Sequence, residues 1–521
     1  MRRSAATSRF AAHRPAWLTG AWLLWLGALA ALAIWQRAPG YMDEAYYWVV
    51  GRAWAAGQGL VEPFLWNYLD DPVGLPHPAG AYWQPLPALL AGLFHRVGAR
   101  WGFVLLAAAV PWLTWGVARA WGLGGTGSAW AGLWAMAAGF YLAYLPAVDG
   151  FAPLLVLGGL YWALLPGAWR DAGRGAWRWA ALGALAAGVH LTRAEGVLWL
   201  LATLAAALGG GPGRMRRLTA VLLGYAALMA PWWARNLQVW GRLWPPGQSR
   251  ALWLTEYNDL FRYPAARLTP QRWLAQGWGK ILRDRAWALG LNLQTTLAVH
   301  GGIVLLPFVL LAGWRARQQP ALRVAVGLYL AVLGLMTVVF PFAGARGGWF
   351  HAGAGFQPLL WALAGEGFET GLTWAARRRG WHRPSARRVL GGGLTLLLLA
   401  MTAALTWGRV QHWNADADRY ATAWRAWQQL APQNAQAGPV LVVNPPLWVW
   451  VTGEPALVTP TGGPGALTAV AQRYGAVGLV LEANHPPGLA AWWVEPGPRP
   501  NWRYLGAAPG VQLYAFALGS R

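Results

Sequence analysis

The sequence predicts an α-helical, polytopic membrane protein that carries a small α/β domain at its C-terminal end. Of its 521 residues, 56% are hydrophobic and only 12% are charged, which is far from the average soluble domain. Long apolar runs alternate with short arginine-rich loops between residue 16 and about residue 410. Beyond residue 410 the chain is polar, and short alternating segments replace the long apolar runs.

The net charge of +24 has two interpretations. A strongly basic chain is compatible with nucleic-acid binding. Here, however, the arginines cluster in short loops between apolar runs, as in the cytoplasmic loops of membrane proteins. We therefore expect the lipid bilayer and no nucleic acid as a partner. The chain has no cysteine, which excludes disulfides and thiolate metal ligands.

The first membrane span is predicted from Ala16 to Trp35, after a basic segment that includes Arg2, Arg3 and Arg14. This run is too long for the core of a signal peptide, so we interpret it as a retained span. The basic segment places the N-terminus in the cytoplasm, and the acidic stretch 36–80 then lies outside.

The remaining apolar runs predict the later crossings, for a total of about eleven. The run 179–209 is too long for one span and breaks at 192–195. The expected later crossings are 101–121, 127–146, 151–168, two short spans on either side of that break, 218–234, 296–314, 325–342, 356–372 and 389–407. The arginine loop at 170–178 lies on the cytoplasmic side only if the segment 81–97 does not cross the membrane. Pro85 and Pro87 suit an interfacial helix there.

This topology places several ionisable residues from distant loops on one face of the membrane. It also divides the chain into a membrane module, 1–410, and an extracytoplasmic α/β domain, 411–521. The module has a first outside loop, 36–100, and a long outside loop, 235–295. The residues on the outer face are Asp43, Glu44, Asp149, Arg193, Glu195, Arg235, Arg346 and His351.

Asp43 and Glu44 form a pair of carboxylates ringed by aromatic residues just after the first span. A carboxylate there can act as a general base toward an acceptor hydroxyl or amine. The pair can also bind a divalent cation, or simply lie in a solvated first turn of a helix. Asp149 is a functional candidate at the bilayer edge, and it also suits an N-cap for a helix beginning at Phe151.

The basic candidates also have two interpretations each. Arg193 either faces an anionic ligand or pairs with Glu195 within the loop. Arg346 is flanked by small residues, and arginine suits bidentate phosphate contacts. His351, five positions on, is a weaker candidate ligand. Arg235 either adds positive charge or extends to the interface. Together these residues predict a site for a substrate with a lipid tail and a headgroup phosphate.

The pattern of motifs resembles the GT-C superfamily of polytopic glycosyltransferases, nearest to its protein O-mannosyltransferase and aminoarabinose-transferase-like branch. The likeness covers about residues 16–410 and lies in the order and shared sidedness of the motifs. They are Tyr41-Met42-Asp43-Glu44-Ala45-Tyr46-Tyr47, Trp83-Gln84-Pro85-Leu86-Pro87, Asp149, Leu191-Thr192-Arg193-Ala194-Glu195-Gly196, Pro231-Trp232-Trp233-Ala234-Arg235-Asn236 with Gly241 and Pro245, and Arg346-Gly347-Gly348-Trp349-Phe350-His351.

The resemblance implies inverting transfer of a sugar from a polyprenyl-phosphate carrier to an extracytoplasmic acceptor, whose nature it leaves open. It implies that Asp43 is the catalytic base, Asp149 an assisting acidic residue and Glu44 a neighbour that binds acceptor, tunes Asp43 or caps the helix. Arg346 is our candidate for the carrier phosphate. Some relatives need a divalent metal and others do not. We therefore assign no metal ligands, and expect no cofactor beyond such a metal.

The C-terminal domain is a candidate acceptor-recognition unit. Its predicted strands are 440–443, 456–458, 477–482 and 511–517, with helical segments at 446–451 and 466–474. Loops at 444–446 and 482–487 are interpreted as ordinary turns.

Two other functional classes fit a polytopic chain. A transporter or flippase of lipid-linked saccharides would carry ionisable residues at mid-membrane and internal repeats. Neither is evident, since the polar residues lie at span ends. A non-catalytic scaffold gives no reason to gather acidic and basic residues on one face.

Overall fold

The computed structural model describes residues 16–170, 175–209, 213–433 and 438–517. The basic segment at 2–14 and the part of the arginine loop at 171–174 lie outside the described residues, so the predicted orientation of the N-terminus stays a prediction.

Helices form most of the membrane module. In chain order they are α1 (Ala16–Trp35), α2 (Met42–Ala55), α3 (Leu86–Leu93), α4 (Ala99–Ala108), α5 (Val110–Ala120), α6 (Gly125–Met136), α7 (Phe151–Arg170), α8 (Ala176–Thr192), α9 (Gly196–Leu208), α10 (Arg214–Trp240), α11 (Gly247–Arg250), α12 (Pro270–Leu274), α13 (Trp278–Thr295), α14 (Leu306–Ala316), α15 (Pro320–Gly334), α16 (Pro341–Ala343), α17 (Trp349–Gly353), α18 (Gln357–Arg379) and α19 (Arg383–Val410).

Five helical stretches within the described ranges are long and apolar enough to cross a membrane. They are Ala16–Trp35, Ala99–Ala120, Phe151–Arg170, Pro320–Val339 and Arg383–Leu430. Two shorter helices, α9 and α14, are also apolar. The sequence-based expectation of a helical polytopic protein is confirmed. The first span has the predicted bounds, and the predicted break between α8 and α9 falls at 193–195.

Two of the predicted crossings are interrupted near glycines. The run 127–146 gives α6, which stops at Met136, followed by a 3₁₀ segment from Gly139 to Tyr144. Gly139 has a φ of 57°, which a continuing helix does not tolerate. The run 296–314 begins as a π segment, Thr296–His300, and resumes only at α14. The Gly301-Gly302 pair and Pro307 separate the two parts.

The C-terminal part folds into an α/β unit with helices α20 (Ala415–Leu430), α21 (Pro445–Thr452), α22 (Gly463–Tyr474) and α23 (Ala490–Val494). Its strands are β4 (Val440–Val442), β5 (Ala456–Val458), β6 (Gly478–Glu482), β7 (Trp502–Ala508) and β8 (Val511–Phe516). The four strands predicted from the sequence are present, whereas β7 was not predicted. The first outside loop adds β1 (Val61–Glu62), β2 (Phe64–Leu65) and β3 (His77–Pro78).

The C-terminal sheet includes one strand from the first outside loop. The order of its six strands is β2-β5-β4-β6-β8-β7. The strands β2, β5, β4 and β6 run parallel, and β8 and β7 are antiparallel additions. Leu65 of β2 lies opposite Leu457 of β5. The sheet therefore joins the loop that follows α2 to the end of the chain.

A buried imidazole ties the rest of that loop together. Nε2 of His77 lies 2.8 Å from a carboxylate oxygen of Asp70, and Nδ1 lies 3.6 Å from one of Glu62. The Tyr46 hydroxyl donates to the other Glu62 oxygen at 2.7 Å. Burial opposes protonation of His77, but the two carboxylates outweigh it and raise its pKa to about 10. The charged imidazole thus fixes the loop against α2.

Candidate active site

The first turn of α2 is held in place because the chain before it is sharply constrained. Tyr41 is extended, with φ −167° and ψ 170°. At Gly40, an added Cβ would lie 2.4 Å from the Trp413 ring, so only glycine allows this close approach. Asp43 and Glu44 occupy the first turn, where carboxylates stabilise the helix dipole.

Asp43, Asp149 and His351 come together from three separate segments. Nε2 of His351 lies 3.1 Å from Oδ2 of Asp149 and 4.0 Å from Oδ2 of Asp43. The Asp149 side chain is only 3% exposed, whereas that of Asp43 is 30% exposed. Asp43 is therefore the carboxylate of the group that a substrate can reach.

Asp149 is held by further contacts around the same carboxylate. The Tyr41 hydroxyl donates to Oδ2 at 2.7 Å, and the Gly150 amide donates to Oδ1 at 2.5 Å. Burial alone would raise the pKa of Asp149, but the charge of His351 and these donors lower it below its usual value. Asp149 is thus ionised and paired with His351.

The orientation of His351 follows from a glycine turn. Gly347 has a φ of 127°, which residues other than glycine rarely adopt. Its carbonyl oxygen lies 2.9 Å from Nδ1 of His351. A carbonyl only accepts, so Nδ1 carries the proton and Nε2 faces the two aspartates. Burial opposes protonation of His351, but the Asp149 charge prevails and raises its pKa.

The Asp43 carboxyl has a pKa suited to proton transfer. Burial and the nearby Asp149 charge raise the pKa of Asp43 to about 6, although His351 and Arg193 act in the opposite direction. A carboxylate with a pKa near the working pH combines basicity with ionisation, as general-base catalysis requires.

The same three residues can hold a divalent metal. One ligand atom from each of Asp43, Asp149 and His351 lies within 4.8 Å of the others. A metal-binding histidine usually donates its second ring N–H to a carbonyl, as His351 does to Gly347. Two carboxylates and an imidazole suit several divalent metals, so the donor set fits. Sequence reasoning assigned no metal ligands and did not recognise this group.

Glu44 points away from this group despite being adjacent to Asp43. Its Oε1 lies 2.9 Å from the Arg100 guanidinium, and its Oε2 accepts from the Gly40 amide at 2.8 Å. The Val148 amide also donates to Oε1, at 3.3 Å. The side chain is fully buried. Of the three roles that the resemblance left open for Glu44, these contacts favour fixing the start of α2.

Arg193 and Glu195 form an ion pair beside the site, in the break between α8 and α9. The charge of Arg193 acts on Asp43 and on His351, so the structure brings Arg193 to the candidate site. Glu195 is only 6% exposed in its side chain and is occupied by Arg193.

Arg346 lies over the ring of a tyrosine whose pKa the Asp43 charge also affects. Its guanidinium carbon is 5.0 Å from the centre of the Tyr257 ring. Burial raises the pKa of Tyr257, the Asp43 charge raises it further and the Arg346 charge lowers it, so both groups act on this phenol. Arg346 is exposed and forms no ion pair with another described residue. Its guanidinium is therefore free to contact an anion.

Arg235 does not join this group. Its guanidinium lies 4.6 Å from the Trp240 ring centre and 5.0 Å from that of Trp232. It donates to the Leu60 carbonyl at 3.2 Å. These contacts connect α10 to the first outside loop and provide no support for a phosphate contact.

Sequence reasoning missed the tyrosines around the site. Tyr41 holds Asp149, and the pKa values of Tyr47, Tyr82 and Tyr257 are raised first by burial and then by nearby charged or phenolic groups. The aromatic residues that flank Asp43 in the sequence include Tyr41 and Tyr47, so the sequence provided some indication of these two. Tyr257 lies in the long outside loop, and no local pattern links it to Asp43.

The described helices and the C-terminal sheet together have an overall fold that several solved structures share, and this likeness agrees with the resemblance inferred from the motifs. No family model matches the chain, and no curated protein matches its sequence. The fold is therefore supported by solved structures alone.

Two of these similar structures come from different organisms. One is ArnT from Cupriavidus metallidurans bound to undecaprenyl phosphate, with 14% identity, a TM-score of 0.56, and coverage of 96% of this chain and 99% of that one. Another is the Archaeoglobus fulgidus oligosaccharyltransferase in complex with Zn and sulfate, with 12% identity, a TM-score of 0.51, and coverage of 94% and 73%.

Proposed function

We propose that the protein is an integral-membrane glycosyltransferase. It moves a sugar from a polyprenyl-phosphate donor to an extracytoplasmic acceptor with inversion at the anomeric carbon. The observation that carries the proposal is the position of Asp43. Its accessible carboxylate, with a pKa near 6, lies beside the ionised Asp149–His351 pair, while the exposed Arg346 lies over the Tyr257 ring.

In the proposed reaction, Asp43 takes the proton from an acceptor hydroxyl or amine. The acceptor atom forms a bond to the anomeric carbon as the bond from that carbon to the phosphate oxygen breaks. The electrons of that bond leave with the polyprenyl phosphate, whose negative charge Arg346 stabilises. Asp149 and His351 position Asp43 and tune its pKa, and Arg193 adds positive charge beside them.

A divalent metal is compatible with this site. Asp43, Asp149 and His351 would hold it, and it would supply positive charge that stabilises an oxyanion. The Zn and sulfate described for the A. fulgidus enzyme motivate a test of this option.

Other features of the proposal follow from the membrane setting. The undecaprenyl phosphate bound to ArnT motivates a lipid-linked donor for this chain as well. The N-terminus is cytoplasmic, the module comprises residues 1–410, and residues 411–521 form an extracytoplasmic domain that contributes to acceptor recognition. The acceptor is a protein, a lipid or a cell-envelope glycan.

The key experiment is a membrane assay that supplies candidate polyprenyl-phosphate sugars and identifies the sugar consumed and the product formed. We expect Asp43→Asn to lower transfer by about 10²-fold or more, because an amide cannot accept the acceptor proton. Membrane insertion should be unchanged.

Asp71→Asn is the matched control. Asp71 lies in the same loop, is half-exposed and has a φ of 58°, which asparagine tolerates well. This variant should transfer at the wild-type rate. Transfer at the wild-type rate by Asp43→Asn would rule out Asp43 as the base. Movement of intact lipid-linked saccharide without bond cleavage would instead indicate a flippase.

A further inference from the structure

A second polar cavity lies at the membrane face opposite the candidate active site. Its volume is about 540 Å³, and it is bounded by the start of α6, the end of α14 and the second half of α18. The helix α18 begins beside the active site, and Trp374 is 17 residues further on, or about 25 Å along the axis. The sequence predicts this face to be cytoplasmic.

The cavity carries an excess of positive charge. Its lining includes four arginines, Arg315, Arg377, Arg378 and Arg383, and two glutamates, Glu366 and Glu369. Glu369 is already neutralised, because Arg387 contacts both its oxygens at 2.8 Å. Arg383 adds a contact at 3.3 Å. Within the described ranges, Arg315 and Arg377 have no ion-pair partner, so their charges are available to an anion.

The floor of the cavity is built from glycines and backbone amides. The segment Gly124-Gly125-Thr126-Gly127 opens α6, and the amides of a first helical turn have no partner within the helix. An added Cβ at Gly125 would meet only the Arg119 guanidinium, at 3.9 Å. The Gly124 amide already donates to Oε2 of Glu366 at 3.2 Å, so a phosphate in the cavity would contact the arginines rather than this turn.

The cavity opens at the level of lipid headgroups. Trp374, which lines it, is 62% exposed and lies under the Arg378 guanidinium at 5.2 Å. Trp314 precedes Arg315 and is 68% exposed. Exposed tryptophans beside arginines are typical of the membrane–water interface. The apolar surface next to the arginines therefore suits a ligand whose phosphate is attached to acyl chains.

We propose that this cavity binds the phosphate headgroup of an anionic phospholipid from the leaflet opposite the active site. The arginines Arg315 and Arg377 contact the phosphate, and the acyl chains leave the cavity beside Trp374. This site is separate from the proposed glycosyltransferase chemistry and does not depend on it.

Native mass spectrometry of the full-length protein tests the proposal, with phosphatidylglycerol and phosphatidylcholine of identical acyl chains as probes. We expect preferential retention of phosphatidylglycerol. The double variant Arg315→Gln/Arg377→Gln should weaken its binding about 30-fold, because each arginine near a lipid phosphate contributes on the order of 1 kcal/mol and the loss of two corresponds to about that factor in affinity. The control Arg379→Gln/Arg388→Gln removes the same charge at the same face but outside the cavity. It should change the affinity less than about twofold.

A second variant tests the same site independently, in case the double variant does not fold. Gly125→Asp places a carboxylate in the first turn of α6, where it stabilises the helix but repels a phosphate. It should weaken binding about tenfold. Equal retention of both lipids, or equal loss in the control, would overturn the proposal. Binding of glycerol 3-phosphate as tight as that of phosphatidylglycerol would also overturn it, because the ligand would then be a free phosphate.

Discussion

Charge is divided unequally among the three residues of the candidate site. Asp149 and His351 neutralise one another behind the surface, and each is fixed by a second contact, to Tyr41 or to Gly347. Asp43 receives the electrostatic effect of this pair without sharing its hydrogen bonds. The base is thus tuned by a buried neighbour and remains free to meet its substrate.

The pH dependence of transfer follows from this arrangement. Burial and Asp149 raise the pKa of Asp43 to about 6, and only the ionised carboxylate accepts a proton. Activity should therefore be full above about pH 7 and fall about tenfold per unit below about pH 6. Initial rates of transfer across this range, in membranes washed with EDTA, measure the effect.

The same pH profile, repeated with added metal, tests whether Asp43 is a metal ligand. A bound cation lowers the pKa of a carboxylate, so added Zn²⁺ or Mn²⁺ should move the acidic limb to lower pH if Asp43 is a ligand. Loss of all transfer on EDTA washing, with recovery on adding metal, would establish a metal requirement. A rate that does not change between about pH 5 and 7 would contradict the role of Asp43.

Substitution of Arg346 should act on the donor. Because its exposed guanidinium lies over the Tyr257 ring and is free to contact a phosphate, Arg346→Ala should raise the KM for the lipid donor about tenfold, with a smaller effect on kcat. Steady-state kinetics with varied donor measure this change. Arg267→Ala, at an exposed arginine of the same long loop as Tyr257, should leave KM unchanged. An unchanged KM in Arg346→Ala would exclude Arg346 from the phosphate site.

At the scale of elements, α2 is braced by α4 and by the C-terminal domain. Arg100 of α4 holds Glu44 and also contacts the Trp48 ring, at 5.1 Å. The same Trp48 ring meets Trp450 of α21 edge-to-face, with ring centres 6.0 Å apart. The helix that carries Asp43 is therefore positioned partly by the C-terminal domain.

Removal of this brace should affect the chemical step. Trp450→Ala should lower kcat about tenfold while the KM for donor stays near the wild-type value, because Arg346 lies on a different segment. Kinetics in membranes with matched protein amounts measure both constants. Trp493→Ala removes another half-buried tryptophan of the same domain, one whose ring lies near that of His485, and should leave kcat unchanged. An equal loss in both variants would indicate general destabilisation.

The sequence predicted which residues belong to the candidate site better than it predicted which of them contact each other. The positive-inside rule and the number of predicted crossings placed Asp43, Asp149 and His351 on one face of the membrane. A shared face does not specify the distance between residues, and Asp149 and His351 are 202 positions apart in the chain. Adjacency suggested that Asp43 and Glu44 act together. Successive residues of a helix point about 100° apart, however, so one faces the site and the other faces Arg100.

The predicted elements failed where glycine interrupts an apolar run. Hydropathy extends smoothly across Gly139 and across Gly301-Gly302, so the apolar runs predicted continuous crossings. The backbone instead leaves the right-handed helical conformation at Ala137 and Gly139 in the first run, and at Gly302 in the second. The strand β2 was missed for another reason, because its two residues gain strand structure only from pairing with β5.

For the whole molecule, the shared sheet makes the two ends of the chain interdependent. All candidate site residues lie before residue 411, yet α2 packs on α21 and β2 pairs with β5. We expect a chain truncated after residue 410 to insert in the membrane and to lose transfer by about 10²-fold or more. Carbonate extraction measures the insertion, and the membrane assay measures the transfer. Wild-type transfer by the truncated chain would show that the site assembles alone.

The pairing of β2 with β5 has a consequence for how the protein is made. The two strands are separated by roughly 390 residues, so at 5–20 residues per second the first strand emerges about 20 to 80 s before its partner. During this interval the loop after α2 has an unpaired edge, and such edges attract other strands. Biosynthesis therefore completes the loop that follows Asp43 near the end of translation, once the segment that contains β5 has reached the same side of the membrane.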